Sequence, residues 1–397
     1  MGGEGIRRSY GQSHPWLTFA PVDLRHAPAR LWLLLGEIRS KIEHLMGVPL
    51  RPQAQFEIQR LYLAKGAWAT TSIEGNTLSE EEVRARIEGY LKLPASQEYL
   101  GQEIDNVVAA FNVIADDLRL RGPQPLTLTR VQGYNRLVLN GLDLDPEVVP
   151  GEFRTWPVAV GPYRAVPAED VPYLLERLFR WIELAFLSPD DDPDFAIVRH
   201  VLKAIVAHVY FEWIHPFGDG NGRTGRLIEF EILLGAGVPF PAAHLLSNHY
   251  NATRTEYYRE LNLTSRSGGD LLAFLEYAAQ GFVDGLRTTI QQVQAEQMDV
   301  MWENHVHQTL PGSSMTQERR RTVVLALSRE PKPVRRAQLA TFAPDAAAAY
   351  SGKGSKTVTR DLNELRKRGL VRAEGDGYVA ARDLMLAFLP GRILPDR

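Results

Sequence analysis

Apolar residues recur at helical spacing over Leu31 to Met46 and over Ala54 to Ile73, where Leu61, Leu63, Ala67 and Trp68 mark the stripe. The pattern predicts two helices there. Glu74-Gly75-Asn76 stops the second, Gly75 being suited to a left-handed C-terminal cap, and Ser79 with Glu80, Glu81 and Glu82 opens another. Helices dominate to Leu120. Between Pro146 and Pro172 the pattern gives way to Pro, Gly and short apolar pairs, and Trp156 to Pro162 reads as a brief hairpin. Helical spacing resumes at Val171 to Leu187 and at Phe195 to Ile214, where Ile197, Val201, Ile205 and Val209 form a stripe. A glycine-rich loop follows, then helices from about Thr224 to Leu234 and Leu271 to Met298.

Pro311-Gly312-Ser313-Ser314 reads as a linker. Beyond it, Gln317 to Arg329, Arg336 to Thr341 and Lys356 to Arg368 read as three helices, with Ser355 as N-cap of the third. Leu370 to Ala380 around Gly375-Asp376-Gly377 reads as a small hairpin. The Ala346 to Ala349 run is too short to count as a low-complexity tract. Four segments are expected: 1–120, helical; 121–298, the core; 299–316, a linker; 317–397, a C-terminal module.

Charge sharpens that division. The chain has 397 residues and a formal net charge of −3, yet Thr316 to Arg372 holds 14 Lys or Arg against 5 Asp or Glu. A basic module thus follows an acidic body. With no cysteine, disulfides, thiolate zinc sites and a cysteine nucleophile are excluded. No apolar run reaches membrane-spanning length and the start has no signal-peptide pattern, so a cytoplasmic protein without a membrane partner is expected.

The candidate chemistry lies in Ile214-His215-Pro216-Phe217-Gly218-Asp219-Gly220-Asn221-Gly222-Arg223-Thr224-Gly225-Arg226. Gly218, Gly220 and Gly222 let the backbone turn its N–H groups inward at the start of a helix, which makes a nest for phosphates. Arg223 and Arg226, three apart on the first turn, can reach one polyphosphate. Asp219 is a hard oxygen ligand suited to Mg²⁺. A neutral imidazole at His215 can accept the proton of an attacking hydroxyl. The loop is neither the GxxxxGK[ST] phosphate loop nor the GxGxxG dinucleotide fingerprint, since no lysine follows the glycines and a helix precedes them.

These residues resemble the Fic-domain motif HxFx(D/E)GNGRxxR at every specified position, with a core resemblance over roughly Pro125 to Gly285. The resemblance implies a mainly α-helical fold with a short β-hairpin flap and transfer of AMP from ATP to a Ser, Thr or Tyr hydroxyl of a target protein. It further implies His215 as general base, Asp219 as Mg²⁺ ligand, Gly220, Asn221, Gly222 and Arg223 as phosphate cradle, Arg226 as γ-phosphate partner and Phe217 as a packing anchor. Gly151 to Arg154 followed by Val158, Val160 and Gly161 is similar to the segment leading into the family's flap, where a target docks as an added strand. Tyr250, Tyr257 and Tyr258 fall where the family's adenine-binding residues lie, with ordinary helix packing as the alternative for each.

Thr70-Thr71-Ser72-Ile73-Glu74-Gly75 resembles the family's inhibitory motif (S/T)xxxE(G/N), with Thr70 and Glu74 at its defining positions. An acidic residue in the last turn of a helix meets the negative dipole end at a cost of about 0.3–1 kcal/mol, which a nearby cation would offset. Arg226 is the expected partner, and the pair would withhold its guanidinium from ATP. In some relatives the same glutamate positions water for removal of AMP, so de-AMPylation, or transfer of another phosphate-containing group, stays open.

The basic tail resembles a winged helix-turn-helix domain. Val358, Leu362 and Leu365 face inward on its third helix, leaving Lys356, Arg360, Asn363 and Lys367 for duplex DNA. Such domains also mediate protein contacts, including homodimer formation. The rival reading of the whole chain is a transcriptional regulator that senses nucleotide and transfers nothing.

Overall fold

The computed structural model describes residues 8–187 and 193–385. Its packing divides the chain into two units, residues 1–291 and 292–397. Among the described residues, the regular structure of the first is helical except for one hairpin. Its elements are α1 (Tyr10–Ser13), α2 (Ala29–Met46), α3 (Pro52–Ile73), α4 (Glu80–Ile87), α5 (Glu98–Arg121), α6 (Leu128–Val138), β1 (Ala159–Val160), β2 (Tyr163–Arg164), α7 (Val171–Leu184), α8 (Ala196–Ile214), α9 (Asn221–Gly235), α10 (Phe240–Ala243), α11 (Leu245–Ala252), α12 (Arg254–Arg266) and the first part of α13 (Leu272–Thr309). Among the described residues, no helix is long and apolar enough to cross a membrane.

Local signals account for the helix ends nearest the chemistry. Ser79 and Glu82 bond reciprocally to each other's backbone N–H at the start of α4, a capping box that satisfies two otherwise orphaned donors. Gly75, at φ +104°, ends the turn after α3 in a conformation that a Cβ would strain. This places Glu74 as the C-cap residue of α3.

Helices α8 and α9 form the centre of the unit, with α3, α5 and α6 also packed on α9. Every residue of α9 from Asn221 to Leu233 is buried. That includes Arg223, Arg226, Glu229 and Glu231. A helix enclosed on all sides cannot leave such groups to water, so each needs a partner from a neighbouring element. Arg130 and Tyr134 of α6 take Glu231, with Arg130 Nε at 2.6 Å and the Tyr134 hydroxyl at 2.7 Å. The arginines look elsewhere.

The second unit contains α14 (Met315–Leu327), α15 (Pro344–Ala349), α16 (Ser355–Lys367) and the antiparallel pair β3 (Val371–Glu374) and β4 (Gly377–Ala380). Trp302 and Val306, from the last part of α13, and Leu310 just after it share its core with Val324, Leu339, Leu362 and Leu370. The expected second helix is only a 3₁₀ turn, Arg336–Gln338. The alanine run is helical instead, begun by Pro344 in its first turn. Ser355 is the first residue of α16 and Gly354 its cap, while the linker serine Ser314 caps α14 by accepting from Gln317 N–H.

Candidate active site

Helix α8 ends at Ile214 because His215 takes the left-handed conformation, φ +49° and ψ +64°, which few non-glycine residues adopt. The turn is held from behind. Arg154 is buried and donates from Nε to the His215 carbonyl at 2.7 Å and from its other nitrogens to the carbonyls of Trp156 and Val166. Burial pulls this guanidinium down to about 10, so its carbonyl partners bind a cation in a poorly hydrated place. One residue thereby links the His215 turn to the segment that enters β1.

The loop itself is braced by Asn221, whose side chain bonds both the N–H and the carbonyl of Phe217 at 2.9 Å. Phe217 is buried as an anchor, against Phe153 and Phe211. Asn135 of α6 donates to the Asp219 carbonyl at 2.9 Å and accepts from Gly151 N–H. Gly220, at φ +75°, then turns the chain into α9. That helix starts at Asn221, earlier than the expected Thr224, so Gly222 lies inside its first turn and only Gly218 and Gly220 belong to the loop.

Gly222 is a glycine for another reason. A Cβ there would overlap Glu74 Oε1. Glu74 Oε1 accepts from Arg226 Nη2 at 2.5 Å, while Thr70 receives Arg226 Nε on its hydroxyl at 2.7 Å and Nη2 on its carbonyl at 2.9 Å. Burial by itself would pull the Arg226 guanidinium down; the charge and hydrogen bond of Glu74, together with Tyr257 and Glu212, outweigh this and hold it above its ordinary value. The sequence pairing of Glu74, Thr70 and Arg226 is thus present as geometry.

Arg223 is occupied too. Its Nη1 lies 3.3 Å from Glu103 Oε1 and its Nη2 3.3 Å from Asp219 Oδ1. Asn76 also donates to Glu103, at 2.8 Å. Glu103 was not singled out by sequence reasoning, and nothing local marks it on α5. Asp219 is half-exposed and its Oδ1 accepts from Gly220 N–H at 2.5 Å. A single exposed carboxylate at a helix N-terminus fits a Mg²⁺ ion that arrives already bound to phosphate, because this ion keeps most of its shell as phosphate oxygens and water. Among the described residues, no group of three or more His, Cys, Asp or Glu is placed to hold a metal by itself.

In front of His215 lies a cavity of about 360 Å³ lined by Val160, Gly161, Pro162 and Tyr163 of the hairpin, by Glu212 and Trp213, and by Tyr258, Leu261 and Asn262 of α12. Val158 lies just outside β1 and its carbonyl accepts from Ala165 N–H. The three expected tyrosines separate here. Tyr250 and Tyr257 are buried behind the cavity, bonded to Glu229 at 2.9 Å and to His208 at 2.9 Å, so helix packing describes them and contact with a base does not. Only Tyr258 faces the cavity.

Residues 125–233, spanning α6 to α9 and the hairpin, match the model of the Fic/DOC family. The chain carries a Fic domain. Curated relatives agree: the chain is 29 % identical over 244 residues to protein adenylyltransferase fic-1 of Caenorhabditis elegans, covering 62 % of this chain and 44 % of that one. It is 30 % identical over 231 residues to protein adenylyltransferase Fic of Culex quinquefasciatus, covering 58 % and 41 %. The chain therefore spans less than half the length of these relatives. In fold, it resembles a Fic family protein from Desulfovibrio desulfuricans (TM-score 0.54, 20 % identity, 91 % of this chain and 98 % of that one). Residues 134–508 of Fic-1 from C. elegans give TM-score 0.54 at 24 % identity, covering 67 % and 73 %. The Fic domain contains the His215 loop and the hairpin, whereas Thr70, Glu74 and Glu103 reach it from outside.

On α16, Lys356, Arg360, Asn363 and Lys367 are all exposed and line one open cleft with Arg336, Ser355, Thr359 and Glu364. Val358, Leu362 and Leu365 are buried beneath. Arg319 and Arg320 of α14 both bind the buried Asp361, at 2.7 and 2.9 Å, which removes two of the module's cations from the surface available to a partner.

Proposed function

We propose that the chain is a protein adenylyltransferase that moves AMP from ATP to a Ser, Thr or Tyr hydroxyl, and that Glu74 holds it in check. The observation that carries this reading is the Fic loop, with His215 lining a cavity and Arg223 and Arg226 at the start of the buried helix behind it. In the reaction, the target oxygen attacks the α-phosphorus and its proton passes to His215. The new O–P bond forms as the bond to the leaving pyrophosphate breaks. The backbone at Gly220, Asn221 and Gly222 and the Arg223 guanidinium would hold phosphate oxygens, and Arg226 the γ-phosphate. Asp219 would hold Mg²⁺, which neutralises phosphate charge when bound. The relatives' name, protein adenylyltransferase, supports transfer of an adenylyl group to protein.

Glu74 supports the checked state because its carboxylate takes the place on Arg226 that a γ-phosphate would need. The test is incubation of wild type, Glu74→Gly, and Glu74→Gly with His215→Ala in cell extract with α-labelled ATP and Mg²⁺. Labelled protein should be scarce with wild type, abundant with Glu74→Gly and absent with the double variant. Equal labelling by the last two would remove His215 from the chemistry, and no labelling by any would favour nucleotide sensing without transfer. The exposed cationic face of α16 supports a second activity, duplex DNA binding, alongside the first.

A further inference from the structure

His215 can act as a base only if the right ring nitrogen is unprotonated, and the loop motif supplies nothing to choose it. Its Nδ1 is buried without a hydrogen-bond partner, while the side chain as a whole keeps 15 % exposure at the cavity. The nitrogen that meets a substrate is therefore Nε2. The acceptor facing the buried Nδ1 is Glu212 Oε2, at 3.6 Å.

Glu212 occupies an unusual place. It interrupts the apolar end of α8, three residues before His215, and its side chain is only 10 % exposed. Its other oxygen, Oε1, is buried without a partner on the side of Gly225 and His208. The fold makes room for it: a Cβ on Gly225 would come within 2.8 Å of Oε1 and 3.0 Å of His208 Nδ1. At neutral pH His208 brings no positive charge to this carboxylate, since complete burial pulls its imidazole down to about 4, and its Nε2 is engaged by the Tyr257 hydroxyl. Burial pushes the Glu212 carboxyl up, but His215, His208 and Arg226 together bring it below the ordinary range. A buried carboxylate thus lies beside a ring nitrogen that also lacks a partner.

We propose that Glu212 is the positioning residue of the site: it accepts the Nδ1–H of His215, fixes the tautomer whose Nε2 lone pair faces the cavity, and stabilises the imidazolium formed on proton transfer. The 3.6 Å separation closes to a hydrogen bond with a small ring rotation. The target hydroxyl proton ends on Nε2, and Glu212 stays ionised throughout. This inference deepens the transferase reading and rests on it for its kinetic consequence, though not for the tautomer.

The test is histidine-selective ¹⁵N NMR of the full chain at about pH 8.5, where imidazoles are neutral, with the His215 signals assigned by their loss in His215→Gln. The expected wild-type spectrum has Nδ1 protonated and Nε2 bare. Glu212→Met should shift the population towards Nε2–H, whereas Glu212→Gln, whose amide oxygen still accepts, should keep Nδ1–H. In the Glu74→Gly background Glu212→Met should lower kcat by roughly 10- to 100-fold, with KM for ATP within about twofold, and Glu212→Gln should lose less. A wild-type ring protonated on Nε2, or an unchanged tautomer in Glu212→Met, overturns the proposal. Should Glu212→Met fail to fold, the wild-type spectrum still decides. Absence of transfer from every protein, with the expected spectra, would defeat the transferase reading and leave the positioning role standing.

Discussion

Arg226 shows how much a single side chain depends on residues far away in sequence. Its three hydrogen bonds all go to Thr70 and Glu74, more than 150 positions earlier. The motif spacing made both legible, because (S/T)xxxE places hydroxyl and carboxylate one helical turn apart on the same face. Glu103 and Asn135 were not legible, and Arg154 was read only as part of the segment entering the hairpin: each acts on backbone or side chains 61 to 120 positions away, and the neighbourhoods of Glu103 and Asn135 look like ordinary helix. Glu212 did leave a signal, a carboxylate inside an otherwise apolar run, which periodicity alone treats as noise. At this scale Thr70→Val is predicted to release the brake in part, since it removes the hydroxyl that accepts from Nε but keeps the carbonyl and Glu74. Self-labelling measured with α-labelled ATP should lie between wild type and Glu74→Gly; labelling equal to Glu74→Gly would make the hydroxyl the dominant contact.

Elements were legible where caps and periodicity agreed. The Ser79 capping box, the Gly75 stop and the second hairpin stand within a residue or two of their expected places, while the first hairpin, expected over Trp156 to Pro162, pairs over Ala159 to Arg164. Disagreement arose where one signal was read alone: Gly222 looked like loop because glycine disfavours helix, yet burial against Glu74 demands a residue without a side chain inside α9. The alanine run was weighed only as a low-complexity tract, although Pro344 and four successive good helix formers suit a short helix.

Two predictions belong to elements. If a target chain adds to the open edge of β1, where Val160 is paired with Tyr163 across the hairpin and the N–H of Ala159 faces outward, Ala159→Pro should remove that donor and lower kcat/KM for the protein target about tenfold while ATP binding is unchanged. Equal kcat/KM would move target docking away from the hairpin. If α16 meets DNA phosphates, Arg360→Ala with Lys367→Ala should weaken duplex binding and reduce the slope of log affinity against log salt by about 2. An unchanged salt slope, read by fluorescence anisotropy, would leave that face to protein contacts.

For the molecule as a whole, buried titratable groups tie stability to pH. Burial pulls His244 down to about 3, where its ring packs between Phe111, Phe230 and Phe240, and pulls His208 down to about 4. Below about pH 6.5 the unfolded chain takes up protons that the folded chain refuses, so stability is full above that value and declines as pH falls towards 4. Each histidine contributes up to about 1.4 kcal/mol per pH unit in that window. Glu229 works in the opposite sense: burial raises its carboxyl well above the ordinary range, so the stability this group contributes is present at low pH and lost as pH rises. Melting of His244→Gln should start lower for lack of packing but fall less between pH 6.5 and 4.5 than wild type; parallel curves would mean that the ring accepts a proton while folded.

The central claim is that Glu74 and Arg226 share one interaction that decides whether the Fic loop transfers a nucleotide. A double-mutant cycle tests it most directly: the initial rate of label transfer from α-labelled ATP to protein by wild type, Glu74→Gly, Arg226→Ala and the double variant, each shown to be folded. The account predicts a rise of at least tenfold for Glu74→Gly alone and a double variant as slow as Arg226→Ala, because the freed partner is then missing. A Glu74→Gly rate equal to wild type, or a double variant as fast as Glu74→Gly, would contradict it.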